Sequence, residues 1–198
     1  MSAAGAGHPT PVAVDLPRSY RLLNHGPTVI VSAAYGGRRN LMAAAWSMPL
    51  DFDPPKVVVV LDKSTYTRDL IEASGRFALN LPTRAMARLT MAVGSESGRE
   101  MLEPDKFAVQ GLQPFDGPVL GLPLVPGCAG WLECEVLREQ RNESVYDLFI
   151  GQVVGALADP RVFSDGRWHF EGADDSMRTV HYIAGGRFMQ IGEAFDAN

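Results

Sequence analysis

Long apolar runs are missing from this 198-residue chain: none approaches the roughly 20 residues that a membrane-crossing helix needs. Blocks of like charge are missing too. Eighteen Lys and Arg stand against 23 Asp and Glu, a formal charge of −5, and no five like charges are contiguous. The aromatics are not interleaved with a basic stripe, so nucleic acid is not an expected partner, and the mild acidity favours solubility. Cysteine is scarce, with only Cys128 and Cys134. The N-terminus has no positive start followed by an apolar stretch, so export is not indicated and reduced thiols in the cytoplasm are expected. Six positions apart on one straight strand, the two sulfurs would lie about 20 Å apart, which favours buried small hydrophobes over a redox pair.

Several motifs are absent as well. No Gly-x-Gly-x-x-Gly follows a strand and no Gly-x-x-x-x-Gly-Lys-Ser/Thr occurs, so neither a Rossmann dinucleotide site nor a P-loop is supported. Gly94-Ser95-Glu96-Ser97-Gly98 has Glu at its centre, so it is no nucleophile elbow. His8, His25, His169 and His181 form no metal spacing with the cysteines. Asp51-Phe52-Asp53 precedes a proline pair and reads as a solvated turn, so no metal ligand is nominated.

What remains is an ordinary globular composition, 46% hydrophobic and 21% charged, enough for one sizeable core. Residues 1–14 read as a disordered tail and 15–198 as one domain. Residues 28–34 and 40–46 read as strands joined at Gly36-Gly37, a pair suited to the positive φ of a hairpin. A valine-rich strand at 57–61 begins after Pro54-Pro55. A helix over 67–74 is expected, with Thr67 at its N-cap and Gly75 at its end, then a strand at 77–81. Met86, Leu89 and Val93 recur at helical spacing. Residues 130–140 and 146–158 form two long strands around a turn at 141–144, with shorter strands at 107–111 and 180–183. Mainly β with short helices, the chain is expected to close into a β-barrel rather than to layer βαβ units.

Two local features carry chemistry. Ser64, Thr65 and Thr67 lie between a strand and a helix and are followed by Arg68. Helix N-terminal amides, hydroxyls and a guanidinium make a phosphate seat, with Lys63 adding a point charge. The plainer alternative is that Thr67 only caps its helix and Arg68 is solvated. Ala43, Ala44, Ala45, Trp46, Ser47 and Met48 either end a buried strand or offer close backbone approach to a planar ring walled by Trp46. Asn80, inside an apolar strand, either bonds backbone or faces a ligand.

Read in order, Asn40-x-x-x-x-x-Trp46-Ser47, Asp53-Pro54-Pro55 before the valines, Ser64-x-x-Thr67-Arg68, Phe77-Ala78-Leu79-Asn80-Leu81-Pro82 and His181-Tyr182-x-x-Gly185-Gly186-Arg187-Phe188 resemble the flavin reductase-like family. This is the FMN-binding split β-barrel that includes flavoredoxin. The likeness covers residues 17–191. It implies a homodimer with one non-covalent FMN per subunit near the interface. By the same resemblance, Ala45, Trp46, Ser47 and Met48 face the isoalloxazine, Lys63, Ser64, Thr67 and Arg68 take the phosphate, and Asn80 lines the pocket. Arg187 and Phe188 close over the ring. The chemistry is that of the flavin ring, so no catalytic side chain is nominated.

The implied activity is flavin reduction by NADH or NADPH, with reduced flavin passing to a partner oxygenase. The alternatives are a flavoredoxin-like carrier serving a partner electron-transfer protein without a nicotinamide site, or a non-catalytic flavin-binding sensor. One departure bears on that choice. Where many members carry Gly-Asp-His, this chain has Val145-Tyr146-Asp147.

Overall fold

The structure is a computed structural model that describes residues 10–22, 26–101 and 104–197. In chain order its strands are β1 (Val12–Ala13), β2 (Val29–Tyr35), β3 (Arg38–Ala44), β4 (Ser47–Phe52), β5 (Pro55–Val60), β6 (Arg76–Leu81), β7 (Phe115–Asp116), β8 (Pro123–Leu124), β9 (Gly130–Leu137), β10 (Leu148–Ala158), β11 (Phe163–Ser164), β12 (Arg167–Trp168), β13 (Val180–Ala184) and β14 (Arg187–Gln190). The helices are α1 (Tyr66–Ser74), α2 (Ala87–Ser95), α3 (Lys106–Val109) and α4 (Gln140–Val145).

The main sheet runs β3-β2-β6-β9-β10-β5-β4, with β1 pairing β10 at its side. Its neighbours are antiparallel throughout. β3 and β4 stand at opposite ends of this path, yet only Ala45 and Trp46 separate them in the chain. A sheet whose outer strands are joined by two residues has to curl until its edges approach. The result is a split β-barrel, with the split where the chain passes from β3 to β4.

The period-2 pleat sorts side chains into two cores. Val29, Val31 and Ala33 of β2 pack inside with Val57, Val59, Phe77, Leu79, Leu132 and Phe149, and α1 adds Leu70 and Ile71. The alternate positions Ile30, Leu41, Ala78 and Trp131 face a second core, completed by Met86, Val93, Phe107, Leu124 and Val125. Phe77 fills the barrel so closely that a Cβ at Gly151 would fall 2.5 Å from its ring, so β10 needs glycine there. Cys134 lies in the first core and Cys128 in the second, both free and buried. Burial pushes both thiols up from their ordinary range.

Most expected elements form, and Gly36 and Gly37 take positive φ at the β2–β3 turn. Several expectations are corrected. Residues 106–109 are helical, not a strand, because the Asp105 carboxylate accepts from the Ala108 amide and nucleates a turn. The connection at 141–144 is not a tight hairpin but α4, whose Glu143 carbonyl and carboxylate bind Arg68 and Arg138. β4 contains Pro49 and was not expected; as an edge strand it tolerates a missing N–H. Of the tail expected to be disordered, residues 1–9 lie outside the described residues, while Val12 and Ala13 pair with Ala158 and Leu157.

Candidate functional site

Three adjoining clefts surround the end of β3. One of about 270 Å³ lies between residues 43–45, α2 residues Thr90 and Met91, and the β13–β14 hairpin, from which Tyr182 and Phe188 line it. Those two rings meet edge to face, 5.3 Å between centroids. A second, about 370 Å³, is lined by residues 42–46, Val60, Asp62, Tyr146 and Asp147. The third, about 180 Å³, is lined by Asn40, residues 64–67, residues 93–98 and Lys106. Residues 43–45 are common to the first and second, Met42 to the second and third, and Gly94 and Ser95 to the first and third. Each is smaller than or near the bottom of the roughly 300–1,000 Å³ typical of cofactor pockets, and as one seam they reach it. The alanines keep this seam shallow and let a flat ligand lie against backbone.

At the third cleft α1 presents an open N-terminus. Thr65 occupies the N-cap with extended backbone, φ −82° and ψ 133°, but its side chain makes no capping bond. Its hydroxyl instead donates to the Asp62 carbonyl at 2.8 Å. The Ser64 hydroxyl and amide both donate to Asp62 Oδ1, which holds that carboxyl below its usual range. The helix therefore starts one residue earlier than expected, and Thr67 is not its cap. Its first-turn amides have no side-chain acceptor, which leaves the positive end of the helix directed at the cleft.

Two buried groups sharpen that picture. Asn40 is 2% exposed; its Nδ2 donates to Thr67 Oγ1 at 2.9 Å, and its Oδ1 has no hydrogen-bond partner. Turned over about its last torsion, the same amide would accept from the Thr67 hydroxyl and offer its NH2 to an anion. Lys106, also 2% exposed, donates to the Val93 and Glu96 carbonyls at 2.6 and 2.5 Å. That leaves a third ammonium N–H uncommitted. Burial brings its ammonium down to about 8. A lone anion in this cleft would meet helix amides, an amide side chain and a buried cation.

The nominated residues divide. Ala45 and Trp46 lie on the seam, Trp46 with 73% of its surface exposed. Ser47 begins β4, and its buried Oγ has no partner. Ser64 and Thr67 line the third cleft. The others lie outside that cleft. Met48 falls on the exposed face of β4 by strand alternation and lines none of the three clefts. Lys63 is exposed and pairs with Asp147 at 3.7 Å, beside the second cleft rather than the third.

Arg68 is buried, and its guanidinium is taken up by the fold. It donates to Glu72 at 2.8 Å, Asp147 at 2.5 Å, the Leu61 carbonyl at 2.9 Å and the Glu143 carbonyl at 2.8 Å. The same guanidinium stacks 5.1 Å over the Phe149 ring. Asn80 is fully buried: its Nδ2 donates to Ile30 O and Ser32 Oγ, and its Oδ1 accepts from the Val125 amide. It ties β6 to β2 and to the loop after β8 and lines none of the three clefts. Asn40, Gly98 and Lys106, which the sequence reading did not nominate, line the third cleft.

Among known proteins, the model of the flavin reductase-like domain family matches residues 20–175. The protein YddH of Escherichia coli (strain K12) is 46% identical over 189 residues, covering 94% of this chain and 97% of its own. The crystal structure of an FMN-binding domain of a flavin reductases-like enzyme from Shewanella baltica OS155 superposes with a TM-score of 0.93 at 49% identity, covering 97% of this chain and all of that one. Flavoredoxin of Desulfovibrio vulgaris (Miyazaki F) matches with a TM-score of 0.73 at 25% identity, over 99% and 95% of the two chains.

Proposed function

Since the chain belongs to the flavin reductase-like domain family and is by kind a flavin-binding oxidoreductase, we propose that it holds one non-covalent FMN per subunit along the seam at the end of β3. The ring lies against residues 43–46 and the phosphate sits at the start of α1. The observation that carries this reading is the coincidence of an uncapped helix N-terminus, the unpartnered Asn40 Oδ1 and the buried Lys106 at one end of a seam floored by alanines. These residues suit a flat ring with a phosphate tail.

When bound, the flavin supplies a hydride and electron acceptor at its N5 position. The chain supplies the rest. The amides of Tyr66 and Thr67, the Asn40 amide and Lys106 anchor the phosphate, and Trp46 walls the ring. Tyr182 and Phe188 cover the cleft beside α2 and exclude water there.

NADH or NADPH is the proposed electron donor, which makes the protein a flavin reductase serving a partner oxygenase in the cytoplasm. The carrier reading has its own support. Tyr146 and Asp147 border the second cleft where many family members have histidine, and Asp147, at φ 55°, gives its carboxylate to Arg68. The likeness to a flavoredoxin over nearly the whole chain points the same way. Anaerobic titration of the FMN-loaded protein separates the two. The reductase reading expects the flavin absorbance to bleach on adding NADH or NADPH. Colour that persists with both, but is lost with a protein electron donor, establishes the carrier instead.

A homodimer accompanies this reading. Met48, Leu50 and Phe52 share the outer face of edge strand β4 and are 54%, 47% and 64% exposed, continuous with exposed Trp46. An apolar stripe of this kind suits a self-complementary interface, and it begins at the seam where the ring lies.

A further inference from the structure

The third cleft has a cover. Residues 95–101 pass over the start of α1, and two arginines fasten them there. Arg38 Nη2 donates to the Arg99 carbonyl at 3.0 Å and the Met101 carbonyl at 3.5 Å. Arg99 Nη2 donates to the Ser64 carbonyl at 3.2 Å, and its Nη1 pairs with Asp69 in the first turn of α1. Both guanidinium groups lie on the Tyr66 ring, Arg38 at 4.8 Å and Arg99 at 5.6 Å from its centroid. Each contact is a cation–π contact of the ordinary kind, and together they lock a strap across the helix N-terminus.

Beneath the strap the fit is close. A Cβ on Gly98 would stand 2.1 Å from Asn40 Oδ1, so the strap backbone rests directly on the buried amide. The cleft opens inward, toward the alanine seam, through Met42, Gly94 and Ser95. Tyr66 lines the cleft, with the Arg99 guanidinium on its ring.

On the reading that FMN binds here, we propose that Arg38, Tyr66 and Arg99 make the site selective for a flavin ending in a terminal monophosphate and reject one extended beyond the phosphate, such as FAD. A monophosphate enters from the seam and ends under the strap. A dinucleotide has to carry its second phosphate and adenosine out through the strap, which breaks the Arg99 bonds to Ser64 and Asp69 and parts the guanidiniums from Tyr66. Discrimination by a barrier against the wrong ligand needs no additional contact to the right one. Arg99 acts here as a positioning residue. Its exposed side chain lets it be removed without opening either core.

The test is equilibrium binding of FMN and FAD, followed by quenching of flavin fluorescence, to the wild type and to Arg99→Ala. The wild type is expected to bind FMN at least about tenfold more tightly than FAD, and Arg99→Ala to narrow that ratio at least about fivefold by admitting FAD. Equal wild-type affinities would overturn the proposal while leaving the FMN reading intact. A ratio unchanged in Arg99→Ala would also overturn it, since a residue that only attracts phosphate weakens both ligands alike. Binding of neither flavin would overturn the FMN reading itself.

Discussion

Arg68→Ala should destabilise the protein by about 3–5 kcal/mol, the usual cost of removing one partner from a buried, hydrogen-bonded charge pair. In a domain of this size each kcal/mol lowers Tm by roughly 2–4 °C, so a loss on the order of 10 °C is expected. The reason is what the guanidinium joins. It links α1 to the Leu61 carbonyl at the end of β5, to Asp147 at the entry of β10 and to Glu143 in α4. Without it the Asp147 carboxylate, only 24% exposed, keeps just the distant Lys63 as an ion-pair partner. Because the guanidinium faces Phe149 and α4 rather than the third cleft, the folded variant should bind FMN as the wild type does. Thermal or urea unfolding, together with an FMN titration below the transition, separates these effects. A variant of undiminished stability that has lost FMN would return Arg68 to the phosphate seat.

Gly98→Ala should weaken FMN binding by about 30–100-fold, equivalent to an overpacking cost of roughly 2–3 kcal/mol. The added methyl would fall 2.1 Å from Asn40 Oδ1 and 2.9 Å from its Cγ. Asn40 cannot retreat, since it is buried and bonded to Thr67, so the strap has to lift from the cleft. Lifting the strap removes the cover of the anion end and leaves the ring end untouched. Riboflavin, which has no phosphate, should accordingly bind the variant and the wild type alike. An FMN affinity unchanged by Gly98→Ala would mean that the phosphate does not lie under residues 95–101.

Much of the fold is legible in the sequence because the barrel rests on strong local signals. Gly36-Gly37, the valines of β5 and the alternating apolar residues of β2 and β6 fix strands and faces through the pleat alone. The misread segments are those decided by neighbours. Residues 106–109 contain Phe107, which suits a strand, but a side-chain cap from Asp105 sets the turn, and Arg39 pairs with that same carboxylate. β4 carries a proline and shows its order only once β5 lies beside it.

The candidate site divides for the same reason. Ala45, Trp46, Ser64 and Thr67 are local features, a small-residue exit from a strand and a hydroxyl turn before a helix, and these the sequence marks. Arg68 and Asn80 have the right chemistry for a ligand, but partners 75, 79 and 50 residues away take up their hydrogen bonds. Asn40 and Lys106 reach the third cleft only because β3 and α3 pack around α1 and α2. No spacing in the chain announces it.

The account stands on the placement of a phosphate at the start of α1, and the most direct measurement is a paired titration of the wild type with FMN and riboflavin, followed by flavin fluorescence. Charge-assisted hydrogen bonds from helix amides and Lys106 should make FMN about 100-fold tighter or more, since two such bonds contribute roughly 3 kcal/mol. Equal affinity for the two flavins would contradict the account, because the seam would then hold the ring without any seat for its phosphate.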